Sequence, residues 1–314
     1  MINSNANVTV VTVVHKPQLS VLRKAINVYS ASGSESVYVL NGYSEETLKY
    51  LKEMSNVIIL NNNLGLAAGL NIGAREAERV GGKYLVFFDQ DTIPKESCLL
   101  ELRLVFEDAE NAGGAPAAVG PVLGESRSDG GRASNSRPAG IFGKDGQTRA
   151  QQPYRVSALI GSGLFTSLDR FNEVGPFEEG LFIDNVDLEW SFRARRKGFQ
   201  CFVAPRARID HAIGEAPSHR SLLQNPLGLI EHGPARQYYM MRNRIHMYKR
   251  SYVPLSWKTQ DVPRAIFKSA YFSTLVKPRW QNAKAMALAL WDGLTGVYGP
   301  IDARHRKSCV STDQ

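Results

Sequence analysis

The first ninety residues alternate between short apolar runs and stretches with apolar residues at helical spacing. Val8 to Val14 is a β-branched run short enough for a buried strand, and apolar residues from Leu19 to Tyr29 then recur every three or four positions. Further strands are predicted at Val37 to Leu40, Val57 to Leu60 and Tyr84 to Phe88, and further helices from Ser44 to Met54 and from Leu66 to Arg79. These repeats predict an α/β fold with an open, mostly parallel sheet and helices on both faces.

The segment from Gly124 to Gln152 has few large apolar residues and many Gly, Ser and Arg, so it cannot build a core. A lid over a site and an inert loop are equally compatible with this composition. Order is predicted to resume at Val156, followed by a helix that ends near Lys197 and a strand from Phe199 to Ala204.

The last hundred residues predict helices. One stripe is formed by Tyr238, Met241, Ile245, Tyr248 and Tyr252, and the other faces of that helix carry Arg236, Arg242, Arg244, Lys249 and Arg250. Two interpretations remain. The stripe packs against the rest of the protein, which is the usual role of such a stripe, or it lies in a membrane interface with its basic residues at headgroup level.

Charge is unevenly distributed along the 314 residues, whose net charge is +8. Residues 190–314 hold 21 Lys/Arg and 7 Asp/Glu, a net charge of +14, so the preceding residues are net acidic. A basic C-terminal part attracts polyanions, namely nucleic acid, anionic lipid or diphosphates. Cys98, Cys201 and Cys309 match neither a disulfide framework nor a zinc pattern, and no secretion signal or spanning run is present, so a cytoplasmic protein is expected.

Two carboxylates, Asp89 and Asp91, follow the buried run YLVFF and fall at the carboxyl end of a strand, where open α/β sheets bind ligands. Burying ionised groups is costly unless a cation compensates, and hard oxygen ligands favour Mg²⁺ or Mn²⁺, which bridge phosphates. An ordinary turn would explain the same residues without a metal. His211 is the candidate third ligand, although a lone histidine is more often structural.

A second acidic group lies among apolar residues, in the segment FEEGLFIDNVDLEWSFR. Apolar surroundings alter the proton affinity of carboxylates, so Asp184, Asp187 and Glu189 are candidates for a general base. Helix capping explains one of these residues but not three within six positions.

Seven segments, taken in order, resemble family 2 glycosyltransferases, and within them the bacterial rhamnosyltransferases. They are VTVVTVVHKP, VYVLNGYS, NNNLGLAAGLNIG, FFDQDT, LFIDNVDLEWSFRARRKG, DHAIG and RQYYMMRNRIHMYKR. Each segment alone is weak, but the ordered set is specific. One position departs from the family pattern, because Leu40 stands where an Asp commonly contacts the nucleobase.

The resemblance implies a GT-A, Rossmann-like catalytic domain over residues 1–232, with a nucleotide-sugar part at 1–123 and an acceptor part at 153–232, and a helical subdomain at 233–314. By the same resemblance Asp187 is the catalytic base, Glu189 and Trp190 lie on the acceptor side, and Mg²⁺ or Mn²⁺ is bound by Asp89, Asp91 and His211. The residues implied near the nucleotide are Thr12, Asn41, Asn63, Asn71, Asp89 and Gln90.

The expected activity is inverting transfer of L-rhamnose from dTDP-L-rhamnose to a hydroxyl of a lipid-linked saccharide, in the synthesis of O-antigen or another cell-surface polysaccharide. The alternatives are a UDP-hexose or UDP-galactofuranose donor, and a non-catalytic sugar-nucleotide-binding protein. An anionic membrane surface is a further expected partner, with peripheral attachment at the inner face of the cell membrane. Nucleic acid is not an expected partner, because no zinc finger, homeodomain or RNP motif is present.

Overall fold

The computed structural model describes residues 7–54, 56–123, 152–211 and 232–301, and of His211 only the backbone. These residues form two compact units. The first comprises the described residues of 7–177 and 190–211, and the second those of 178–189 and 232–301. Of the predicted Gly124 to Gln152 loop, all but Gln152 lies outside the described residues.

The first unit contains a nine-stranded sheet and most of its flanking helices. The strands are β1 (Val8–Val14), β2 (Glu35–Leu40), β3 (Val57–Ile59), β4 (Tyr84–Phe87), β5 (Thr92–Pro94), β6 (Pro116–Leu123), β7 (Tyr154–Val156), β8 (Leu164–Ser167) and β9 (Gln200–His211). The helices are α1 (Leu19–Ala31), α2 (Glu45–Leu51), α3 (Leu66–Arg79), α4 (Cys98–Asn111) and α5 (Leu168–Val174). The chain passes from the second unit back to the first within helix α6 (Val186–Arg196).

The sheet follows the order β3-β2-β1-β4-β8-β6-β9-β5, with β7 paired to β9. Strands β3, β2, β1 and β4 are mutually parallel, as the βα repeats predict. Beyond β4 the sheet becomes mixed, because β8 runs antiparallel to both β4 and β6. Every residue of β1 is buried, since helices cover both of its faces.

Successive side chains of β1 point to opposite faces of the sheet. Val8 and Val10 pack in one core with residues of α1 and α4. Val11 and Val13 point the other way, towards α3. Helix α3 approaches closely because its residues facing the strand are glycines: a Cβ on Gly73 would lie 2.3 Å from a methyl of Val11, and one on Gly69 would lie 2.9 Å from Val13.

The structure corrects two predicted boundaries. The strand expected at Phe199 to Ala204 extends to His211, because β6 pairs along it across two register shifts and β5 pairs with its last residues. His211 therefore ends a strand. The helix expected through Met54 ends at Leu51, although its predicted cap is present, with Ser44 Oγ accepting from the amide of Thr47 at 3.2 Å.

The second unit contains the first residues of α6 and three long helices, α7 (Pro234–Lys249), α8 (Leu255–Thr274) and α9 (Arg279–Thr295). Its core gathers Tyr238, Tyr239 and Met241 of α7 with residues of α8 and α9 and with Phe182. The sequence boundary near residue 232 placed 178–189 in the catalytic domain. The structure groups this segment with the helical unit, because α7 side chains bind its backbone.

The predicted stripe on α7 belongs mainly to this core. Tyr238 and Met241 are buried, whereas Tyr252 lies beyond the end of the helix. Arg242, which the sequence pattern placed on an outer face, is also fully buried. The membrane interpretation therefore receives no support from the stripe itself.

The close approach of α3 to β1 yields a stability prediction. Replacing Gly73 with Ala gains helix propensity of up to about 1 kcal/mol, but it forces a methyl group into Val11, which typically costs about 1–3 kcal/mol. We expect Gly73→Ala to lower the free energy of unfolding in urea. Gly69→Ala is the matched control, because it gains the same propensity with a milder clash and should destabilise less. A Gly73→Ala protein as stable as the wild type would contradict this packing.

Candidate active site

The loops that follow β1, β2 and β4 meet at the carboxyl edge of the parallel strands. The amide of Asn41 donates to the carbonyl of Val14 at 2.8 Å, which joins the ends of β2 and β1. The ring nitrogen Nδ1 of His15 lies 3.1 Å from the carbonyl oxygen of Asn41. Edges of this kind bind ligands because the loops there leave side chains and backbone groups exposed.

Gln90 ties the loop after β4 to the end of β1. Its side-chain oxygen accepts from the amide of His15 at 2.7 Å, and its side-chain nitrogen donates to the carbonyl of His15 at 2.9 Å. Both ends of the Gln90 amide group thus bind backbone. Gln90 was predicted near a nucleotide, and in this structure it fixes the position of the loop that carries the two aspartates.

Asp89 and Asp91 occupy a tight turn between β4 and β5. The turn is closed by a hydrogen bond of 3.0 Å from the amide of Thr92 to the carbonyl of Asp89. Ser162 holds this turn in place. Its hydroxyl accepts a hydrogen bond from the amide of Asp89 at 3.1 Å and lies 2.7 Å from the hydroxyl of Thr92. Sequence reasoning missed Ser162, although the run Gly-Ser-Gly at 161–163 signalled a special loop.

The predicted metal ligands converge as far as the backbone describes them. Thr92, next to Asp91, pairs with His211 across the antiparallel β5 and β9, so the two backbones are neighbours. Asp89 and Asp91 are only partly buried and offer hard carboxylate oxygens, a donor set that fits Mg²⁺ or Mn²⁺. Among the side chains that the structure describes, which exclude that of His211, no three acidic, His or Cys groups form a metal cluster.

Asn41 and Asn63 hold the loop that leads into α3. Asn41 Nδ2 donates to Asn63 Oδ1 and to the carbonyl of Gly65, each at 3.0 Å, and Asn41 Oδ1 accepts from the amide of Leu64 at 2.8 Å. Gly65 caps the helix with φ of 90°, a conformation that favours glycine. The two asparagines predicted near the nucleotide therefore shape this loop.

Two further residues predicted near the nucleotide are buried. Asn71 forms a pair of 2.9 Å hydrogen bonds with the amide and the carbonyl of Phe177, so its side chain fixes the backbone at that point. Thr12 lies in the middle of β1 and is fully buried. Direct contact of either side chain with a ligand would require these surroundings to open.

The acidic group predicted to hold the base lies in the second unit, and its three carboxylates have different environments. Asp184 is paired with Arg236, whose Nη2 and Nε lie 3.2 and 3.3 Å from the two carboxylate oxygens. Asp187 is partly exposed in the first turn of α6, where its Oδ1 accepts from the amide of Leu188 at 2.9 Å. Glu189, two residues later on the helix, is fully buried.

Glu189 is held by two residues that follow α7. Its Oε1 accepts from the hydroxyl of Tyr252 at 2.5 Å and from Arg250 Nη1 at 3.1 Å, and Arg250 also donates to Tyr252 and to Glu178. Burial, together with the hydrogen bond to Glu189, raises the pKa of Tyr252 to about 12. Sequence reasoning missed the contacts of Glu189 with Arg250 and Tyr252, because these residues are about sixty positions away in the chain.

Trp190, predicted on the acceptor side, is a core residue of the first unit. It is fully buried, its indole nitrogen donates to the carbonyl of Gly175 at 2.9 Å, and its ring stacks on Phe171 with centroids 6.0 Å apart. With its polar atom and its face both engaged, Trp190 supports the fold and does not line an open site.

Comparisons with known proteins agree with this architecture. The model of the family described as Glycosyl transferase family 2 matches residues 9–163. Over 298 residues the chain is 30% identical to the dTDP-rhamnosyl transferase RfbF of Shigella flexneri, and the alignment covers 94% of this chain and 98% of that protein.

Two solved glycosyltransferase structures show the same fold at low sequence identity. S. aureus TarS 1-349 in complex with UDP-GlcNAc aligns with a TM-score of 0.56 and 14% identity over 93% of this chain and 81% of its own. GalNAc-T7 with UDP, GalNAc and Mn²⁺ aligns with a TM-score of 0.53 and 16% identity over 93% of this chain, which spans 58% of its length. The chain belongs to glycosyl transferase family 2 and has the GT-A fold that its sequence predicts.

Proposed function

We propose that this protein is an inverting rhamnosyltransferase that moves L-rhamnose from dTDP-L-rhamnose to a hydroxyl of a lipid-linked saccharide in cell-surface polysaccharide synthesis. The observation that carries the donor assignment is the alignment with a dTDP-rhamnosyl transferase along nearly the whole of both chains. The turn of Asp89 and Asp91 at the carboxyl edge of the sheet supports a diphosphate site there.

In this proposal Asp89 and Asp91 bind a divalent cation together with His211. When bound, the cation neutralises charge on the departing diphosphate. Gln90 and Ser162 keep the turn in place, so that the two carboxylates need little rearrangement when the donor arrives.

Asp187 is the proposed general base, which accepts the proton of the acceptor hydroxyl as its oxygen attacks the anomeric carbon. A single displacement of this kind inverts the configuration at that carbon. The environments of its two rivals support the assignment. Asp184 has both oxygens paired with Arg236, and Glu189 is buried against Arg250 and Tyr252.

We expect dTDP and dTDP-rhamnose to bind more tightly with Mg²⁺ or Mn²⁺ than with EDTA, because the diphosphate and the aspartates repel each other without a bridging cation. Asp91→Ala should weaken donor binding by about tenfold or more, equivalent to about 1.4 kcal/mol. Calorimetry measures both effects. Asp108→Ala, which removes an exposed carboxylate from α4, is the control and should bind normally. Equal donor affinity with the metal ion and with EDTA would show that donor binding needs no metal. Tighter binding of UDP-sugars than of dTDP-rhamnose would show that the donor is a UDP-sugar.

Asp187→Asn should reduce kcat by about 10² or more, the usual scale of general-base catalysis, while donor affinity stays within a few-fold of wild type. Steady-state kinetics with a saccharide acceptor and calorimetry with dTDP separate these effects. Near wild-type turnover of Asp187→Asn, combined with loss of turnover in Asp184→Asn, would move the base to Asp184. A protein that binds donor but shows no transfer to any acceptor would be a non-catalytic binder.

Glu189→Gln is the matched comparison, because it makes the same carboxylate-to-amide change one half-turn further along α6. Since Glu189 is buried with a guanidinium and a phenol, this change should lower the free energy of unfolding by about 1–3 kcal/mol. Asp187→Asn should not.

We further propose that the protein attaches to an anionic membrane surface through α9. No helix among the described residues is long and apolar enough to cross a membrane. Helix α9 instead exposes an apolar stripe, with Trp280 71%, Trp291 67% and Leu294 63% exposed. The spacing of eleven and three residues puts these side chains on one helix face. Exposed Lys277, Arg279 and Lys284 lie beside Trp280, which is the arrangement of an interfacial helix on anionic lipid.

Co-sedimentation with vesicles tests this attachment. We expect binding to vesicles that contain anionic lipid, weaker binding at high salt, and loss of binding when Trp280 and Trp291 are both replaced by Ser. Tyr43→Ser, which removes an exposed aromatic residue from the first unit, is the control. Equal binding to neutral and anionic vesicles at low salt would contradict the proposal.

A further inference from the structure

The segment that leads into α6 has an unusual backbone. Phe182 has φ of 66° and ψ of −62°, and the amide of Ile183 donates to the carbonyl of Leu181 at 2.8 Å, which defines a γ-turn of the rare, strained hand. Asp184 and Asn185 follow with φ of 65° and 62°. Asn and Asp adopt positive φ more readily than other non-glycine residues. A phenylalanine rarely does, so Phe182 is strained.

This strained segment directly sets the start of α6. The first hydrogen bond of the helix runs from the amide of Glu189 to the carbonyl of Asn185 at 3.0 Å. Asp187 therefore lies in the first turn, two residues after the last strained position. Unfavourable backbone conformations persist only where surrounding groups enforce them, and they concentrate at functional sites.

One side chain of α7 contacts three carbonyls of this segment. Asn243 Nδ2 lies 2.9 Å from the carbonyl oxygen of Leu181, 2.7 Å from that of Ile183 and 2.9 Å from that of Asp184. Three carbonyls can converge on one amide nitrogen only if the backbone turns sharply. Asn243 is fully buried, so water cannot replace it as the donor.

Arg242 orients Asn243 and binds further carbonyls of the same segment. Its Nε and Nη2 donate to Asn243 Oδ1 at 3.2 and 3.1 Å, which directs the Nδ2 end towards the carbonyls. Its Nη2 also lies 3.3 Å from the carbonyl oxygen of Gly180 and 3.1 Å from that of Leu181. Its Nη1 donates to the carbonyl oxygen of Gly299 at 2.6 Å. The guanidinium carbon lies 5.4 and 5.1 Å from the ring centroids of Tyr238 and Tyr239.

Within the described part of the chain, Arg242 donates to neutral oxygens, namely those of backbone carbonyls, of the Asn243 amide and of the Tyr238 hydroxyl. A fully buried guanidinium without a carboxylate partner is a costly way to stabilise a helix pair. Its planar fork, however, matches several carbonyls that point in fixed directions. The pair is better suited to fixing the conformation of a backbone segment than to adding stability.

We propose that Arg242 and Asn243 are positioning residues that hold residues 180–185 in their strained conformation and thereby fix the place of Asp187. Neither residue touches the reacting atoms in this proposal. It rests on the proposed role of Asp187 as the base, and it assigns a reason for the Arg-Asn pair in the motif RQYYMMRN.

Asn243→Asp is the test variant, because it is nearly isosteric and keeps an acceptor for Arg242 but removes both donated protons. Tyr248→Phe on the same helix is the matched control. It removes a hydrogen bond of 2.7 Å from the Tyr248 hydroxyl to Asp261 and leaves the contacts of Arg242 in place. Both variants should lose some stability, so loss of stability alone does not distinguish them.

The first readout is hydrogen–deuterium exchange of peptides that span residues 180–190. We expect faster exchange there in Asn243→Asp, beyond any global change, and no such local increase in Tyr248→Phe. The second readout is kinetic. In Asn243→Asp, kcat should fall by about tenfold or more, since a displacement of about 1 Å can cost up to 10²-fold, while the affinity for dTDP stays within about twofold.

Wild-type exchange at 180–190 in Asn243→Asp would overturn the inference, as would local loosening with unchanged kcat while Asp187→Asn is inactive. If Asp187→Asn retains activity, the proposed base has failed, and exchange still decides whether Arg242 and Asn243 hold the segment. Should Asn243→Asp not fold, Asn243→Ser, which keeps one donor, takes its place with the same two readouts.

Discussion

The hydrogen-bonded ladder of three parallel strands, with β1 between β2 and β4, is the constraint on which the proposed donor site depends. Because helices cover both faces of these strands, most of their residues are apolar and buried. The polar residues His15, Asn41 and Asp89 follow the carboxyl ends of these strands. The register of the strands fixes where each strand ends, and therefore how far apart His15, Asn41 and Asp89 lie along this edge.

In both units, neutral amide side chains hold irregular segments. Asn41 binds the loop before α3, Asn71 binds the backbone of Phe177, Gln90 binds that of His15, and Asn243 binds the turn before α6. A loop that is buried cannot leave its amides and carbonyls unpaired. An amide side chain carries both a donor and an acceptor and costs less to bury than a charge, so it suits this task. Several residues that a family motif associates with nucleotide binding thus also have a measurable structural role.

The acidic segment shows how burial separates carboxylates that look equivalent in sequence. Asp187 and Glu189 are two positions apart on α6, which turns their side chains about 200° from each other. One is partly exposed and the other fully buried. A buried carboxylate requires partners, and Arg250 and Tyr252 supply them from the end of α7. At Asp187, solvent offsets part of this cost, because the side chain is partly exposed.

The sequence by itself determined the α/β repeat, the bounds of β1 and α3, and the strand-end position of Asp89 and Asp91, because each depends on periodicity over a few neighbouring residues. It also determined the family, through short motifs in a fixed order. Only the tertiary structure decided that β9 continues to His211, that Ser162 supports the aspartate turn, that Trp190 and Arg242 are buried, and that Asn243 grips residues 181–184. These features join residues that are tens of positions apart. Their pairing is set by how strands and helices pack, and local sequence patterns carry no record of it.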